Sequence, residues 1–276
     1  MNENLGALPS EGINPATREL SRLPTLDALQ LINDEDEKVA PAVRLVLPQV
    51  AQAVDAIAAR MAEGGRLFYI GAGTSGRLGV VDASECPPTF GTPPEWVQGI
   101  IAGGPPAVFK SQEGAEDDAT TGVQELAARE LSARDIVVGL AASGRTPYVL
   151  GALEFARERG ALTVGVTVNP QAALEQYCDV FIAPFVGPEA LAGSSRMKAG
   201  TAQKLVLNML STGVMLRLGR VEGNLMADLR PSCGKLQDRA LRLVMELSGA
   251  NETSAQAALD ASGGQVREAV ARLKGN

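Results

Sequence analysis

Short apolar segments recur through the middle of the chain and alternate with segments whose apolar positions follow a helical period. Each apolar segment is five to seven residues long, the length of a buried strand. Strands that alternate with helices form a parallel sheet with both faces covered. We therefore predict an α/β, doubly wound fold with a mainly parallel, five-stranded sheet. The predicted strands are residues 66–70, 98–102, 135–140, 162–168 and 180–185.

Helical periodicity is strongest before the first predicted strand and after the last one. Between residues 24 and 63, apolar residues recur at three- and four-residue steps, as in an amphipathic helix packed on a core. A second long pattern spans residues 198–218. Three short helical patterns, broken at Gly249 and Gly263, follow a connector. We predict an N-terminal helical segment (1–63), a ligand-binding α/β domain (64–220) and a C-terminal three-helix module (235–276).

The composition excludes several classes of partner. The chain has 276 residues and a formal charge of −7, without a run of basic residues, which disfavours binding to a nucleic-acid backbone. Aromatic residues make up only 4% of the chain, too few for base-stacking platforms. No apolar segment approaches the ~20 residues of a membrane-spanning helix. Residues 1–10 also lack the pattern of a secretory signal. We therefore predict a cytoplasmic protein that binds neither nucleic acid nor a membrane.

Metal-ligating side chains are scarce. The chain contains no histidine, and its three cysteines (Cys86, Cys178 and Cys233) are widely scattered. They form neither a disulfide framework nor a metal-ligand cluster, so we predict no metal site. Because histidine is absent, proton transfer near neutral pH must fall to carboxylates, lysine, tyrosine or cysteine.

A glycine-rich loop with the pattern G-x-G-x-x-G occupies residues 71–76, directly after the first predicted strand. Such a loop binds a dinucleotide or a phosphate monoester, or is only a structural turn. A dinucleotide site needs a continuous helix after the loop and an acid about 20 residues further on. We expect Pro87 and Pro88 to stop the helix early, and no strand ends in a suitable acid. Two hydroxyls favour the phosphate monoester, so no nucleotide cofactor is predicted. The candidate phosphate-binding residues here are Gly73, Thr74, Ser75 and Arg77.

Two further segments repeat this combination of glycine, hydroxyl and basic residues. Residues 141–147 follow the third predicted strand and open a helix. Their hydroxyls suit helix capping, yet free N–H groups at a helix start also bind anions, and two such loops after parallel strands would converge on one ligand. Residues 193–201 lead into the long helix. There, helix capping and anion binding explain the sequence equally well. The candidate residues of the two segments are Ser143, Gly144, Arg145, Thr146, Ser194, Ser195 and Lys198.

The candidate acid–base residues are carboxylates near these loops. The acidic residues 113–118 precede a helix, where acids favour the helix dipole, and most are expected to do only that. Glu85 lies between the first loop and the expected break at Pro87, where fixed chain geometry can aim a side chain. Two carboxylates in different surroundings can act as acid and base in a chain without histidine. The residues alone do not say which carboxylate has which role.

Six segments carry a resemblance to a known family: residues 32–36, 71–77, 82–90, 113–117, 142–148 and 193–210. Together they resemble the sugar isomerase (SIS) fold and, within it, the N-acetylmuramic acid 6-phosphate etherases. The resemblance covers nearly the whole chain and rests on long, specific motifs. The C-terminal module resembles, more loosely, the small ubiquitin-associated-like (UBA-like) bundle of these etherases.

The resemblance implies a reaction. The D-lactyl ether at C3 of N-acetylmuramic acid 6-phosphate is cleaved to N-acetylglucosamine 6-phosphate and D-lactate, in the recycling of cell-wall amino sugars. Lactate is eliminated and water then adds, without a cofactor. By its motif, Glu85 protonates the leaving lactate oxygen and then activates water, while Glu116 handles the C2 proton. SIS relatives build the site at a dimer interface, so a homodimer is expected.

Two other functions remain open for this fold. One is a sugar-phosphate isomerase, which would also use a carboxylate base, and the other is a non-catalytic sugar-phosphate sensor. The segment that contains Glu85 argues against both, because it resembles the etherases at the position of their acid–base residue.

Overall fold

A five-stranded sheet lies at the centre of the computed structural model, which describes residues 11–229, 231 and 233–275. The strands are Leu67–Gly71 (β1), Val97–Ile101 (β2), Ile136–Leu140 (β3), Leu162–Val166 (β4) and Val180–Ile182 (β5). Their order across the sheet is β2-β1-β3-β4-β5, and every neighbouring pair is parallel. All five predicted strands are confirmed, and the sheet is wholly rather than mainly parallel.

Helices cover both faces of this sheet. The α-helices of the described residues are Thr25–Asp36 (α1), Val39–Arg44 (α2), Leu47–Ala62 (α3), Gly73–Phe90 (α4), Pro106–Phe109 (α5), Ala119–Ala127 (α6), Pro147–Glu158 (α7), Lys198–Arg217 (α8), Gly234–Ser248 (α9), Glu252–Ala261 (α10) and Val266–Lys274 (α11). Short 3-10 helices lie at Pro15–Thr17, Leu20–Arg22, Ala115–Asp117 and Ala173–Tyr177.

Two apolar cores form because successive residues of a strand point to opposite faces of the sheet. On β1, Leu67 and Tyr69 pack in one core, and Phe68 and Ile70 pack in the other. The first core is closed by α2, α3, α4 and α8, and the second by α6 and α7. Burial on both faces explains why the strands read as continuous apolar runs rather than as alternating patterns.

The N-terminal helical pattern is divided into three helices instead of one. Pro41 lies in the first turn of α2 and Pro48 in the first turn of α3, where a missing N–H costs no intrahelical hydrogen bond. The prolines therefore mark helix starts. The predicted apolar stripe is confirmed on α3, where Val50, Val54 and Ile57 are buried.

The helix after the glycine loop continues past Pro87 and Pro88, so the expectation that these prolines stop it early is wrong. α4 runs for 18 residues and ends at Gly91, whose φ of +65° is left-handed. Both prolines lie in the last five residues, so the hydrogen bonds they remove are confined to that end. The Gly91 N–H still donates to the Pro87 carbonyl oxygen, which closes the helix.

The C-terminal helices α9, α10 and α11 form a small bundle, with breaks at Gly249 and Gly263. They enclose an apolar core of their own. Arg267 of α11 joins the bundle to the preceding connector: its Nε donates to Asp228 at 2.7 Å and its Nη2 to the Gly219 carbonyl at 2.6 Å. The division of the chain into three units and the UBA-like identity of this bundle remain predictions.

Among the described residues, no single helix has the length and apolar character needed to cross a bilayer. The segments Thr25–Arg44 and Leu47–Ala62 meet that requirement only when they are taken together, and they are bent by 58° relative to each other.

Candidate active site

The first two predicted loops begin at neighbouring positions on one edge of the sheet. β1 and β3 are adjacent strands, and Gly71 lies opposite Leu140 at their carboxyl ends. β1 has β2 on its other side, so the strand order reverses here. Ligands of open α/β sheets bind in the crevice at such a switch point, outside the carboxyl ends of the strands. The two loops therefore flank the expected ligand position of this fold.

The glycine loop turns sharply into α4 and leaves N–H groups available. A Cβ on Gly71 would lie 2.8 Å from the amide nitrogen of Gly76 and 2.9 Å from the carbonyl oxygen of Leu140, so only glycine fits. Gly73 has a φ of +54°, in the left-handed region. Ala72 precedes the helix and no side chain caps it, so the first N–H groups keep no intrahelical acceptor. Such a helix start favours an anion.

The two hydroxyl residues of the glycine loop lie against α8. Thr74 Cγ2 is 3.4 Å from the point where a Cβ on Gly200 would stand. Ser75 is buried, and its hydroxyl donates to Oε1 of Gln203 at 2.8 Å. The hydroxyl predicted to bind phosphate is thus engaged with another side chain. Sequence reasoning missed Gln203, because 128 residues separate it from Ser75.

The second loop is held by a tight turn at Gly144. Its φ is +68°, and a Cβ there would lie 2.3 Å from the Cβ of Ala172, so the position requires glycine. The Ala142 carbonyl accepts hydrogen bonds from Thr167 Oγ1 at 2.9 Å and from Asn169 Nδ2 at 3.0 Å. These two residues follow β4 and fix the backbone of the loop against the sheet edge.

The hydroxyls of the second loop are not used to cap α7. Thr146 occupies the N-cap position, but its side chain makes no capping hydrogen bond. The Ser143 hydroxyl oxygen accepts from the N–H of Arg145 at 3.3 Å, within the loop itself. Capping therefore does not explain why these residues carry hydroxyls, and the anion-binding interpretation remains.

A cavity of about 290 Å³ opens beside the glycine loop. Its wall includes Gly73 and Arg77 from the start of α4 and Glu116 from the acidic segment, which brings three predicted site residues together. Arg77 Nε donates to the Val108 carbonyl at 2.9 Å and so ties α4 to the chain after β2. The other lining residues are Ala72, Ala102, Ala107, Ser111, Gln112, Glu113, Gly114 and Ala115.

The third predicted segment starts α8, but neither Ser194 nor Ser195 caps that helix. Instead the carboxylate of Glu189 accepts from the N–H groups of Lys198 and Ala199, both at 2.9 Å. Burial raises the pKa of Glu189, although the two N–H groups and the Lys198 charge oppose that shift. Because this carboxylate occupies the start of α8, these two N–H groups are not available to an anion.

Lys198 does not line the cavity; its side chain forms a buried ion pair. Its Nζ lies 2.6 Å from Oε2 of Glu35 on α1, and both side chains are nearly inaccessible. Lys38 approaches the other oxygen of Glu35 at 2.5 Å from the exposed side. The prediction that Lys198 holds a phosphate has no support in these contacts; its ammonium group joins the N-terminal helices to α8.

Within one chain, Glu85 lies apart from the cavity that Glu116 lines. It is an exposed residue of α4, twelve residues after Gly73, which corresponds to about 18 Å along a helix. It is not among the residues that line the cavity of Glu116. α4 returns from the carboxyl edge of the sheet, so Glu85 is displaced toward the opposite edge.

The buried carboxylate of Asp82 lies one turn before Glu85 and was not singled out from the sequence. Its Oδ1 accepts from Asn208 Nδ2 at 2.8 Å and from the Ser211 hydroxyl at 3.1 Å, both on α8. Burial raises the pKa of Asp82, and the hydrogen bond from Asn208 opposes that shift most strongly. Asp82 thus fixes the middle of α4 to α8, as Ser75 fixes its start.

One of the two arguments against a dinucleotide site still holds in the structure. The continuous α4 removes the argument from an early helix stop. The argument from the missing acid stands, because β2 is followed by Ala102 and Gly103.

Comparison with known proteins identifies the family. Residues 49–157 match the sequence model of the glucokinase regulatory protein N-terminal SIS domain, and residues 106–213 match that of the SIS domain. The etherases of Yersinia pestis (strain Pestoides F) and Yersinia pseudotuberculosis serotype O:1b, both named N-acetylmuramic acid 6-phosphate etherase, are 58% identical over 270 residues. These alignments cover 98% of this chain and 92% of each relative.

Solved structures share the fold at low sequence identity. A phosphoheptose isomerase from Francisella tularensis is 19% identical, with a TM-score of 0.56 over 70% of this chain and 100% of the other. A putative sugar-phosphate isomerase from Listeria monocytogenes is 18% identical, with a TM-score of 0.51 over 71% of this chain and 93% of the other. These likenesses confirm the SIS-type α/β fold, whereas the nearly full-length identity to the Yersinia proteins is specific: the chain belongs to the family of N-acetylmuramic acid 6-phosphate etherases.

Proposed function

We propose that this etherase cleaves N-acetylmuramic acid 6-phosphate to N-acetylglucosamine 6-phosphate and D-lactate by eliminating lactate and then adding water. The observation that carries the proposal is the cavity in which the glycine loop, Arg77 and the Glu116 carboxylate meet at the carboxyl edge of the sheet. Phosphate-binding groups and a base thus line one small space. Binding energy from the phosphate, which does not react, can orient the reacting carbons.

The phosphate is held by the two loops that follow β1 and β3. The first turn of α4 contributes N–H groups without intrahelical acceptors, beside Thr74, Ser75 and Arg77. The second loop contributes Ser143 and the charge of Arg145, on a backbone that the turn at Gly144 fixes. Ser194 and Ser195 are half-buried beside the start of α8 and remain candidates for the same ligand.

The reaction needs a base at C2 and an acid at C3. In the open-chain sugar, the C1 aldehyde makes the C2 proton acidic, and Glu116 takes that proton. The C3–oxygen bond then breaks as a C2–C3 double bond forms, and Glu85 gives its proton to the departing lactate oxygen. In the second half, Glu85 takes a proton from water as the water oxygen bonds to C3, and Glu116 returns a proton to C2. No electrons are gained or lost, so no redox cofactor is required.

Two chains are needed to bring these carboxylates together. About 18 Å of helix separates Glu85 from the start of α4, so one chain does not present both groups to one sugar. A homodimer removes this difficulty, because a two-fold axis can set Glu85 of one chain beside the cavity of the other. An exposed apolar groove that includes Leu47 and Leu216 offers further surface that a second chain would bury. A cytoplasmic location fits an enzyme whose substrate is a sugar phosphate.

The chemical outcome is tested with water enriched in heavy oxygen. Elimination and hydration place the solvent oxygen at C3 of the amino sugar and leave the ether oxygen in lactate. Attack of water on the lactyl carbon would place the heavy oxygen in lactate, which would refute the proposed mechanism. Release of lactate by the purified protein separates the etherase from an isomerase or a sensor in the same assay.

The roles of the carboxylates are tested with Glu85→Gln and Glu116→Gln. Each variant is expected to lose about 10²–10⁴-fold in turnover, the usual contribution of a positioned general acid or base. Each should still bind N-acetylglucosamine 6-phosphate. Glu95→Gln, at an exposed glutamate after α4, is the matched control and should keep parental turnover. Near-parental turnover of Glu85→Gln would overturn its assignment.

Mixing the two inactive variants tests whether the site is shared between chains. If each site takes Glu85 from one chain and Glu116 from the other, mixed dimers contain one intact site. Random exchange then restores about a quarter of the parental activity per chain. If both carboxylates act from the same chain, mixing restores nothing, and the shared site is excluded.

A further inference from the structure

Gln203 is a buried residue in the second turn of α8, and its amide is only half satisfied. Its Oε1 accepts the hydrogen bond from Ser75 at 2.8 Å, but its Nε2 has no hydrogen-bond partner among the described residues. An unpaired buried donor lowers the stability of the fold. One bonded and one unbonded amide atom make the two orientations of this amide similar in the number of groups they satisfy, so Gln203 can adopt either of them.

The bond between Ser75 and Gln203 also affects how Ser75 can serve a phosphate. A hydroxyl has one hydrogen to donate and two lone pairs that accept. While that hydrogen points to Gln203, Ser75 has none for a phosphate oxygen, which accepts only. Rotation of the Gln203 amide by half a turn puts Nε2 in the place of Oε1. Nε2 then donates to the Ser75 oxygen, and the hydroxyl hydrogen is free to donate elsewhere.

We propose that Gln203 is a positioning residue for the substrate phosphate, which turns its amide so that Nε2 donates to Ser75 while the Ser75 hydroxyl donates to a phosphate oxygen. The proposal rests on the proposed function, because it assumes that the glycine loop holds the phosphate. Gln203 need not touch the sugar. The exchange moves the unpaired position from Nε2 to Oε1, and it gives a buried hydroxyl the polarity that an anion requires.

The surroundings of the pair favour this exchange. Ser75 belongs to the first turn of α4, whose first N–H groups have no side-chain cap and are available to an anion. Gly200, one turn before Gln203, lies against Thr74, so the starts of α4 and α8 are in direct contact. A change at Gln203 can therefore reach the phosphate site without passing through any other element.

The test compares the affinity of N-acetylglucosamine 6-phosphate with that of N-acetylglucosamine, by calorimetry on the full-length protein. Gln203→Met keeps the size of the side chain but removes its hydrogen bonds. It should weaken binding of the phosphorylated sugar by about tenfold, with no change for the sugar without phosphate. In turnover, KM should rise while kcat stays within about threefold of the parent. Gln124→Met, at an exposed glutamine on α6, is the control and should change neither value.

A double-mutant cycle separates this inference from a structural role. Ser75→Ala alone should cost about as much as Gln203→Met, and the double variant should cost no more than either. Gln203→Glu, which keeps the shape but can only accept, should bind the phosphorylated sugar less well than Gln203→Met, because it keeps the Ser75 hydrogen and adds a negative charge. This variant also serves if Gln203→Met does not fold.

Three results would overturn the inference. Equal weakening for both sugars would show that Gln203 only supports packing. Additive effects of Ser75→Ala and Gln203→Met would show that the two side chains act separately. If Gln203→Met binds the phosphorylated sugar normally while Ser75→Ala binds it more weakly, Gln203 has no role in holding the phosphate, although Ser75 has one. If Ser75→Ala itself has normal affinity for the phosphorylated sugar, the phosphate site proposed for the glycine loop fails first.

Discussion

Replacement of Lys198 by methionine tests whether this lysine is structural or binds the substrate. Its ammonium group lies 2.6 Å from a Glu35 carboxylate oxygen, and both side chains are 4% exposed or less. Lys198→Met keeps the apolar stem and removes only the charge. Glu35 would then remain buried without its closest partner.

The expected loss of stability follows from this geometry. Removing one partner of a buried ion pair costs about 3–5 kcal/mol, because the other charge stays buried. Lys38 still contacts Glu35 at 2.5 Å, but its side chain is 58% exposed, and exposed pairs contribute about 0–1 kcal/mol. We therefore expect the free energy of unfolding to fall by about 3 kcal/mol at neutral pH.

The pH dependence gives a second readout. Burial raises the pKa of Glu35, but hydrogen bonds from Lys198 and Lys38 lower it more, so it lies below the ordinary value. Because a lowered carboxyl pKa stabilises the fold above the unfolded-state pKa, this contribution is lost as the pH falls through the folded-state pKa. Without Lys198, burial dominates and Glu35 takes up a proton at higher pH. The deficit of the variant should therefore shrink as the solution is acidified.

Urea unfolding at a fixed protein concentration measures both effects. Lys204→Met is the control, because Lys204 is exposed on the same helix, and it should change the unfolding free energy by no more than about 0.5 kcal/mol. Adding Glu35→Gln to Lys198→Met should restore part of the loss. The reasoning is refuted if Lys198→Met unfolds like the parent but binds N-acetylglucosamine 6-phosphate more weakly, since the ammonium group would then serve the ligand.

Three other outcomes are expected. Ser143→Ala should weaken binding of N-acetylglucosamine 6-phosphate by about 1.5–3 kcal/mol; equal loss for the sugar without phosphate in the same calorimetry would contradict a phosphate contact. Burial raises the pKa of Asp135, but hydrogen bonds from Arg66 and Ser132 outweigh it and lower the pKa. Asp135→Asn should therefore cost about 1.5–3 kcal/mol of unfolding free energy at neutral pH, the contribution of hydrogen bonds to a charged group, because the remaining Arg66 is 30% exposed. That difference should disappear as the pH falls through the folded-state pKa of Asp135, and a pH-independent difference in urea titrations would argue against it. Activity should survive exhaustive chelation, and a loss that zinc or magnesium reverses would show that a metal is required.

The sequence by itself determined the strands, their parallel arrangement and the loops that follow them. These features depend on neighbouring residues: a short, mainly apolar run forms a buried strand, and a glycine in the loop that follows it allows a turn that other residues do not fit. Gly71 and Gly144 occupy such turns, where a Cβ would lie within 3 Å of other atoms. The three C-terminal helices were predicted for the same reason, because their glycine breaks are local signals.

Only the tertiary structure decided what the polar side chains contact. Lys198 and Glu35 are 163 residues apart, and Ser75 and Gln203 are 128 apart, so no local pattern pairs them. Proline disfavours helix interiors, which predicts a helix stop at Pro87, yet packing of α4 on β2 and α8 keeps the helix intact to its last turn. That continuous helix also sets Glu85 apart from the cavity of Glu116. The sequence located the loops of the site because they depend on neighbouring residues. It did not locate the contacts of the side chains, because those depend on partners far apart in the chain and on the energy of tertiary packing.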